Sequence, residues 1–154
     1  MIHPSSEAVL VEGRGETVLL VEDEPTVRQV TRTALERCRY HVLEASSGVA
    51  AREVWRTKAG SVDLLLSDMV MPDGLSGRAP TEELRAEKPG LKVLLISGYG
   101  LRKEDEPWAC RLGIHCLQKP FALPTLAQAV RDCLDGRPPA PWPQPHESIP
   151  LNAN

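Results

Sequence analysis

The stretch VDLLLSDMVMPDG, residues 62–74, contains the features from which the fold is predicted. Three leucines at 64–66 lead directly into Asp68, and the Pro-Asp-Gly sequence at 72–74 is typical of a turn. A short, continuous apolar run is typical of a strand that is buried on both faces of a parallel sheet. A carboxylate at the end of such a strand is costly unless other groups compensate its charge. We therefore expect Asp68 to meet partners from other parts of the chain.

Four further apolar runs have the same character, and segments with helical spacing separate them. The runs lie at 18–21, 41–43, 93–96 and 114–117. Strands that alternate with helices indicate βαβ units and a parallel sheet with right-handed crossovers. The sequence therefore predicts an α/β fold, a doubly wound (βα)5 three-layer sandwich with a five-stranded parallel sheet of the flavodoxin-like type.

The helices are predicted from their starts and ends. The first begins at Pro25, the second is capped by Ser47, the third starts near Pro80 and ends at 89–90, and the fifth runs from Pro124 to about Gly136. The fourth segment, at 101–113, has Pro107 in its middle. Either a helix begins near Pro107 or the segment is partly irregular.

Composition limits the function. The chain has 154 residues and a formal net charge of -3. The sequence has no basic stripe, so we do not expect it to bind nucleic acid directly. No apolar run approaches the ~20 residues that span a bilayer, and the N-terminus does not resemble a signal peptide, so we expect no membrane insertion and a cytoplasmic location. Residues 1–15 are predicted to be a linker or disordered, 16–136 one domain, and 137–154 a Pro-rich tail.

The four cysteines do not suggest a zinc site. Cys38, Cys110, Cys116 and Cys133 form no C-x-x-C pair, and each has apolar neighbours in the sequence. They are therefore predicted to be small hydrophobic residues of a reduced protein.

Polar residues follow four of the predicted strands. Glu22 and Asp23 follow the first, Asp68 ends the third, Ser97 ends the fourth and Lys119 follows the fifth. Ligands of such sheets bind at the carboxyl ends of the strands, so these side chains should converge. Clustered carboxylates repel one another, and Mg²⁺, which prefers oxygen ligands, relieves that repulsion. A lysine and a metal beside a nucleophilic carboxylate suit phosphoryl transfer.

These motifs resemble a known family, the response regulator receiver domains of two-component systems. They are VLLVEDEP at 18–25, LLLSDMVMPDGLSG at 64–77, VLLISGY at 93–99 and LQKPF at 117–121. The intervals also agree with the family, with 45 residues from Asp23 to Asp68, 29 from Asp68 to Ser97 and 22 from Ser97 to Lys119. The resemblance makes residues 16–136 a receiver domain, most like the C-terminal receiver of a hybrid histidine kinase.

The resemblance implies that the domain is a phosphoacceptor switch and not an enzyme. The switch would assist its own Mg-dependent phosphorylation and dephosphorylation. Asp68 would take a phosphoryl group from a histidine kinase or a histidine phosphotransfer domain and pass the signal to a downstream protein partner. The Mg²⁺ ligands would be Glu22, Asp23, Asp68 and the backbone carbonyl of Val70. The domain would be cytoplasmic, either alone or within a membrane-anchored hybrid kinase.

The resemblance also assigns the switch residues. Ser97 and Lys119 would contact the phosphoryl oxygens, and the peptide bond before Pro120 would be cis. Receivers usually carry an aromatic residue three positions before the lysine, where this chain has Cys116. The readout of phosphorylation is therefore expected to differ from the usual one.

Other functions fit the residues less well. An aspartyl phosphatase would need a second Asp where Val70 stands, and a nucleotide-binding domain would need a Gly-rich loop after the first strand. Asp23 could instead cap the helix that begins at Pro25. The remaining alternative is a degenerate receiver that binds proteins without being phosphorylated.

Overall fold

The computed structural model of the protein describes residues 10–69, 77–98 and 106–139. In this part of the chain, five parallel strands form one sheet in the order β2-β1-β3-β4-β5. The strands are β1 Thr17–Val21, β2 His41–Ala45, β3 Leu64–Asp68, β4 Lys92–Ser97 and β5 His115–Gln118. The predicted five-stranded parallel sheet is confirmed, and β3, buried along its whole length, lies at its centre.

Helices separate the strands throughout the described residues. They are α1 Pro25–Arg37, α2 Gly48–Lys58, α3 Arg78–Glu87, α4 Glu106–Leu112 and α5 Leu123–Leu134, and a short 3-10 turn, Ala59–Ser61, follows α2. Of the two alternatives for the fourth segment, a helix that begins near Pro107 is correct. Proline is tolerated there because the first turn of a helix does not use its own N–H groups.

The helices cover both faces of the sheet. Leucines and valines on one face pack with α1 and α5, and those on the other face pack with α2, α3 and α4. Consecutive residues of a strand point to opposite faces, so Leu19 and Leu65 lie in one core while Leu20 and Leu64 lie in the other. The predicted three-layer sandwich is confirmed.

Side-chain caps begin two helices. Ser47 Oγ accepts a hydrogen bond from the Ala50 amide at 3.1 Å, as predicted for α2. At α1 the cap is Glu24, whose Oε1 accepts from the Thr26 amide at 3.2 Å, with Pro25 in the first turn. The helix therefore begins without using the Asp23 carboxylate as its cap.

A buried ion pair connects the first strand to the last helix. Arg131 on α5 is buried, and its Nη2 lies 2.8 Å from Glu16 Oε2 and 2.8 Å from Asp135 Oδ1. Glu16 immediately precedes β1. Because an unpaired buried charge is costly, this arrangement holds α5 against the start of the sheet.

The cysteines differ in exposure. Cys38 and Cys133 are buried and Cys116 is half-buried, but Cys110 is exposed. All four are free thiols; three of them pack as small hydrophobic residues, whereas α4 turns Cys110 away from the core that holds Trp108 and Ala109.

No helix among the described residues has the length and hydropathy needed to cross a bilayer.

Candidate functional site

Three carboxylates meet at the carboxyl end of the sheet. Glu22 and Asp23 follow β1, and Asp68 is the last residue of the neighbouring β3, where Val21 is paired with Ser67. One oxygen from each carboxylate lies within 4.8 Å of the others. Glu22 and Asp68 are buried and Asp23 is half-buried. The parallel register of β1 and β3 thus creates the acidic cluster.

Lys119 faces this cluster from the other side. Its Nζ lies 3.3 Å from Asp68 Oδ1 and 3.8 Å from Glu22 Oε1. The Lys119 amide donates to the Ser97 carbonyl at 2.8 Å, which extends the pairing of β4 and β5 by one residue. The Lys119–Pro120 peptide bond is cis. The charge of this lysine offsets part of the repulsion among the acids.

Ser97 is placed beside the acids by the register of β4. Asp68 is paired with Ile96, so Ser97 lies one residue further toward the carboxyl edge, and it is buried. Its interaction with a phosphoryl oxygen stays a prediction. Val70, whose carbonyl was expected to be a metal ligand, lies outside the described residues.

Burial changes the acidity of Glu22. Desolvation, together with the neighbouring Asp68, raises the pKa of Glu22 to about 7. The Glu24 amide, which donates to Glu22 Oε2 at 3.1 Å, and the charge of Lys119 act in the opposite direction without cancelling the effect. Near neutral pH, one carboxyl group of the metal-free site is therefore partly protonated.

Glycine at position 77 was not singled out by the sequence interpretation. Its amide donates to the Met69 carbonyl at 2.6 Å, and a Cβ placed on it would lie 2.5 Å from the Asp68 carbonyl oxygen. Thr81 Oγ1 donates to the Gly77 carbonyl at 2.7 Å. The start of α3 thus rests on the backbone of Asp68. A glycine a few residues before the predicted helix start near Pro80 was the available signal, but sequence alone does not show the close approach.

Cys116 occupies the position of the expected aromatic residue. It is the second residue of β5, it is half-buried, and it packs in the core that also contains Trp108. Burial raises the pKa of its thiol to about 12, so it stays protonated and unreactive near neutral pH.

The raised pKa of Glu22 gives a testable pH dependence. In metal-free protein, Glu22 binds a proton more tightly in the folded state than at its usual pKa of 4.5, so folding stability falls as pH rises from about 4.5 toward 7. Between roughly pH 5.5 and 7.5, where only part of this difference titrates, the loss is about 1–2 kcal/mol. Urea unfolding of wild type and Glu22→Gln at roughly pH 5.5 and 7.5 measures it.

The contribution of Glu22 is the difference between wild type and Glu22→Gln in how the free energy of unfolding changes with pH. His115, whose pKa is lowered by burial, acts in the opposite direction in both of them and cancels. Glu53→Gln, on the exposed surface, should behave as wild type. An equal loss of stability on raising the pH in wild type and Glu22→Gln would contradict the prediction.

Comparison with known proteins places this α/β sandwich and its acidic edge in a family. The model of the family described as "Response regulator receiver domain" matches residues 18–131. The chain therefore belongs to the response regulator receiver domains, which are the phosphoacceptor modules of two-component signalling. The resemblance to this family noted from the motifs is confirmed.

Particular relatives agree with this. The chain is 41% identical over 124 residues to the sensor kinase CckA of Brucella abortus, a match that covers 77% of this chain and 12% of that kinase. The crystal structure of the receiver domain of the hybrid histidine kinase CckA is 36% identical, with a TM-score of 0.65 over 77% of this chain and 98% of that one.

A third relative is the response regulator protein TrrA of Thermotoga maritima, solved in complex with Mg(2+)-BeF. It is 25% identical, with a TM-score of 0.64 over 77% of this chain and 98% of that chain. The chain thus spans nearly all of these receiver structures but about an eighth of the kinase relative.

Proposed function

We propose that Asp68 is the phosphoacceptor of a two-component phosphorelay and receives its phosphoryl group from a phosphohistidine. The observation that carries the proposal is the position of Asp68, whose Oδ1 lies 3.3 Å from Lys119 Nζ within a cluster of three carboxylates. In the proposed step a carboxylate oxygen of Asp68 attacks phosphorus, the P–N bond to the histidine breaks, and the imidazole leaves.

The acidic cluster fits a hard divalent cation. Three carboxylates whose oxygens lie within 4.8 Å of one another are the donor type that Mg²⁺ prefers. Glu22, Asp23 and Asp68 would hold the ion, which when bound neutralises charge on the phosphoryl oxygens. The complex of TrrA with Mg(2+)-BeF supports this choice of metal. The Val70 carbonyl stays a predicted fourth ligand.

Lys119 and Ser97 have separate roles in the proposal. Lys119, already beside Asp68, would pair with an oxygen of the incoming phosphoryl group and lower the repulsion between it and the carboxylate. The Ser97 hydroxyl would donate to another of these oxygens, since Ser97 lies one residue beyond the level of Asp68. The domain assists its own phosphorylation and dephosphorylation rather than turning over a separate substrate.

The partners are inferred from chemistry and similarity. A histidine kinase or a histidine phosphotransfer domain would supply the phosphoryl group, and a protein partner would receive the signal. A hybrid kinase is the proposed context, because the similar receiver domain of CckA comes from a hybrid histidine kinase. A cytoplasmic location, the domain limits at 16 and 136, and the absence of direct nucleic-acid binding stay predictions. The alternative of a degenerate receiver is not favoured, because the acids and the lysine are assembled.

Acetyl phosphate tests the proposal without knowledge of the kinase. The wild-type protein, incubated with acetyl phosphate and Mg²⁺, should gain the mass of one phosphoryl group, and the gain should disappear when EDTA replaces Mg²⁺. Borohydride reduction of the product, followed by peptide mapping, identifies the modified carboxylate. Modification of a residue other than Asp68, or equal modification in EDTA, would overturn the assignment.

A further inference from the structure

A second polar pocket lies at the opposite end of the sheet from the acidic cluster. It has a volume of about 240 Å³ and is bounded by the amino ends of β4 and β5 and by the last residues of α4 and α5. The side chains that matter here are those of Arg85, Lys92, His115 and Arg137. These four residues, called the basic pocket below, have no part in the proposed phosphoryl transfer.

His115 is the unusual member of the basic pocket. It is the first residue of β5, it is 9% exposed, and neither of its ring nitrogens has a hydrogen-bond partner within the described ranges. Buried polar groups of proteins are almost always hydrogen-bonded, so this imidazole has unused capacity for a partner from outside the chain. Burial lowers the pKa of His115, and the charge of Lys92 acts in the same direction; the charge of Asp132 and a contact with the Arg137 main chain, whose geometry does not meet the criteria of a hydrogen bond, act against this.

Two cations in the same pocket lack a counter-ion. Arg85 donates from Nε to the Leu91 carbonyl at 3.1 Å and from Nη1 to the Leu112 carbonyl at 2.7 Å. These bonds fix the guanidinium but leave its charge uncompensated. Among the described residues, neither Arg85 nor Lys92 forms an ion pair. Burial lowers the pKa of Arg85, which agrees with a charge that is poorly solvated.

The remaining charges of the pocket are already paired. Arg137 contacts Asp132 at 2.5 Å and Asp135 at 3.9 Å, and Asp135 is shared with Arg131. The positive charges of Arg85 and Lys92 are therefore the ones left over. A cation would be repelled, and a water molecule could satisfy the imidazole but, unlike an anion, would not offset the charges of Arg85 and Lys92, both of which are half-buried.

We propose that the basic pocket binds a small oxyanion, the chemistry shared by inorganic phosphate and a small carboxylate. Its oxygens would accept hydrogen bonds from Lys92, His115 and the outer nitrogen of Arg85. A bound anion would add a polar link between the start of β4, the start of β5 and the end of α5, which already pack together through the sheet pairing and the Cys133–Val93 contact. This site is separate from the acidic cluster and does not depend on the proposed phosphoryl transfer.

Nuclear magnetic resonance of the His115 ring tests the proposal. Full-length protein, freed of metal on a chelating resin, is titrated with phosphate and, separately, with acetate at constant ionic strength. His115→Gln assigns the ring signals. We expect a saturable shift of the His115 ring signals and a rise in the pKa of that ring with at least one anion. The titration that saturates at the lower anion concentration shows whether the pocket prefers inorganic phosphate or a carboxylate.

Lysine substitutions provide the matched comparison. Lys92→Gln should raise the apparent dissociation constant at least about fivefold, because it removes a charge from the pocket. Lys58→Gln removes the same charge from an exposed position on α2 and should leave the constant unchanged. The proposal is overturned if neither anion produces a saturable shift, which would indicate bound water alone, or if Lys92→Gln binds as wild type does.

Discussion

Asp68→Asn gains no mass from acetyl phosphate and Mg²⁺ under conditions in which the wild-type protein takes up one phosphoryl group. The amide is close in shape to the carboxylate, but it carries no negative charge and is not a nucleophile toward phosphorus. The loss should therefore be complete rather than partial. Intact-mass spectrometry, repeated over time with fresh acetyl phosphate, measures it.

The control for this prediction is another aspartate at the opposite end of the same strand. Asp63, just before β3, accepts a hydrogen bond from the Thr17 amide at 2.9 Å, and an asparagine oxygen can accept the same bond. Asp63→Asn should be phosphorylated like the wild type. Stoichiometric phosphorylation of folded Asp68→Asn would show that another residue is the acceptor.

Gly77→Ala lowers the free energy of unfolding by about 2–3 kcal/mol and slows phosphorylation at least about tenfold. The added Cβ would lie 2.5 Å from the Asp68 carbonyl oxygen, a contact that real Cβ atoms do not make. Both partners belong to backbone segments, so the start of α3 or the end of β3 has to move. Since Asp68 is in that backbone, its carboxylate shifts relative to Lys119. Urea unfolding and the initial rate of phosphorylation by acetyl phosphate give the two numbers.

Gly60→Ala is the matched control for Gly77→Ala. No heavy atom lies within 4 Å of a Cβ placed on Gly60, and its backbone is outside the left-handed region. The substitution should leave stability unchanged or raise it slightly, because it restricts the unfolded chain. Equal effects of the two substitutions on stability and rate would show that the contact at Asp68 does not matter.

The fold could be predicted because its signals are local. The run at 64–66 and the other apolar runs follow from the burial of a central parallel sheet, and Ser47 caps a helix through its own side chain. The convergence of Glu22, Asp68 and Lys119 could also be predicted, since parallel strands place their carboxyl ends on one edge.

Other features depend on contacts that a sequence pattern does not contain. Gly77 matters because of its distance from the Asp68 carbonyl, and the orphaned imidazole of His115 depends on the packing of elements that are distant in the chain. Cys110 has apolar neighbours in the sequence, whereas its position around the axis of α4 exposes it. Glu24 was not expected to be a cap, because Asp is the commoner capping residue.

The ion pair between Glu16 and Arg131 couples the start of β1 to α5, the last helix of the receiver. Strand β1 sits second from one side of the sheet and α5 follows the strand at the far side, yet their polar ends are directly joined at 2.8 Å. Neither terminus of the fold can fray without exposing a charge that the other one neutralises. A displacement of Glu16 therefore affects α5 through Arg131 as well as the start of β2, whose His41 amide donates to the Glu16 carbonyl.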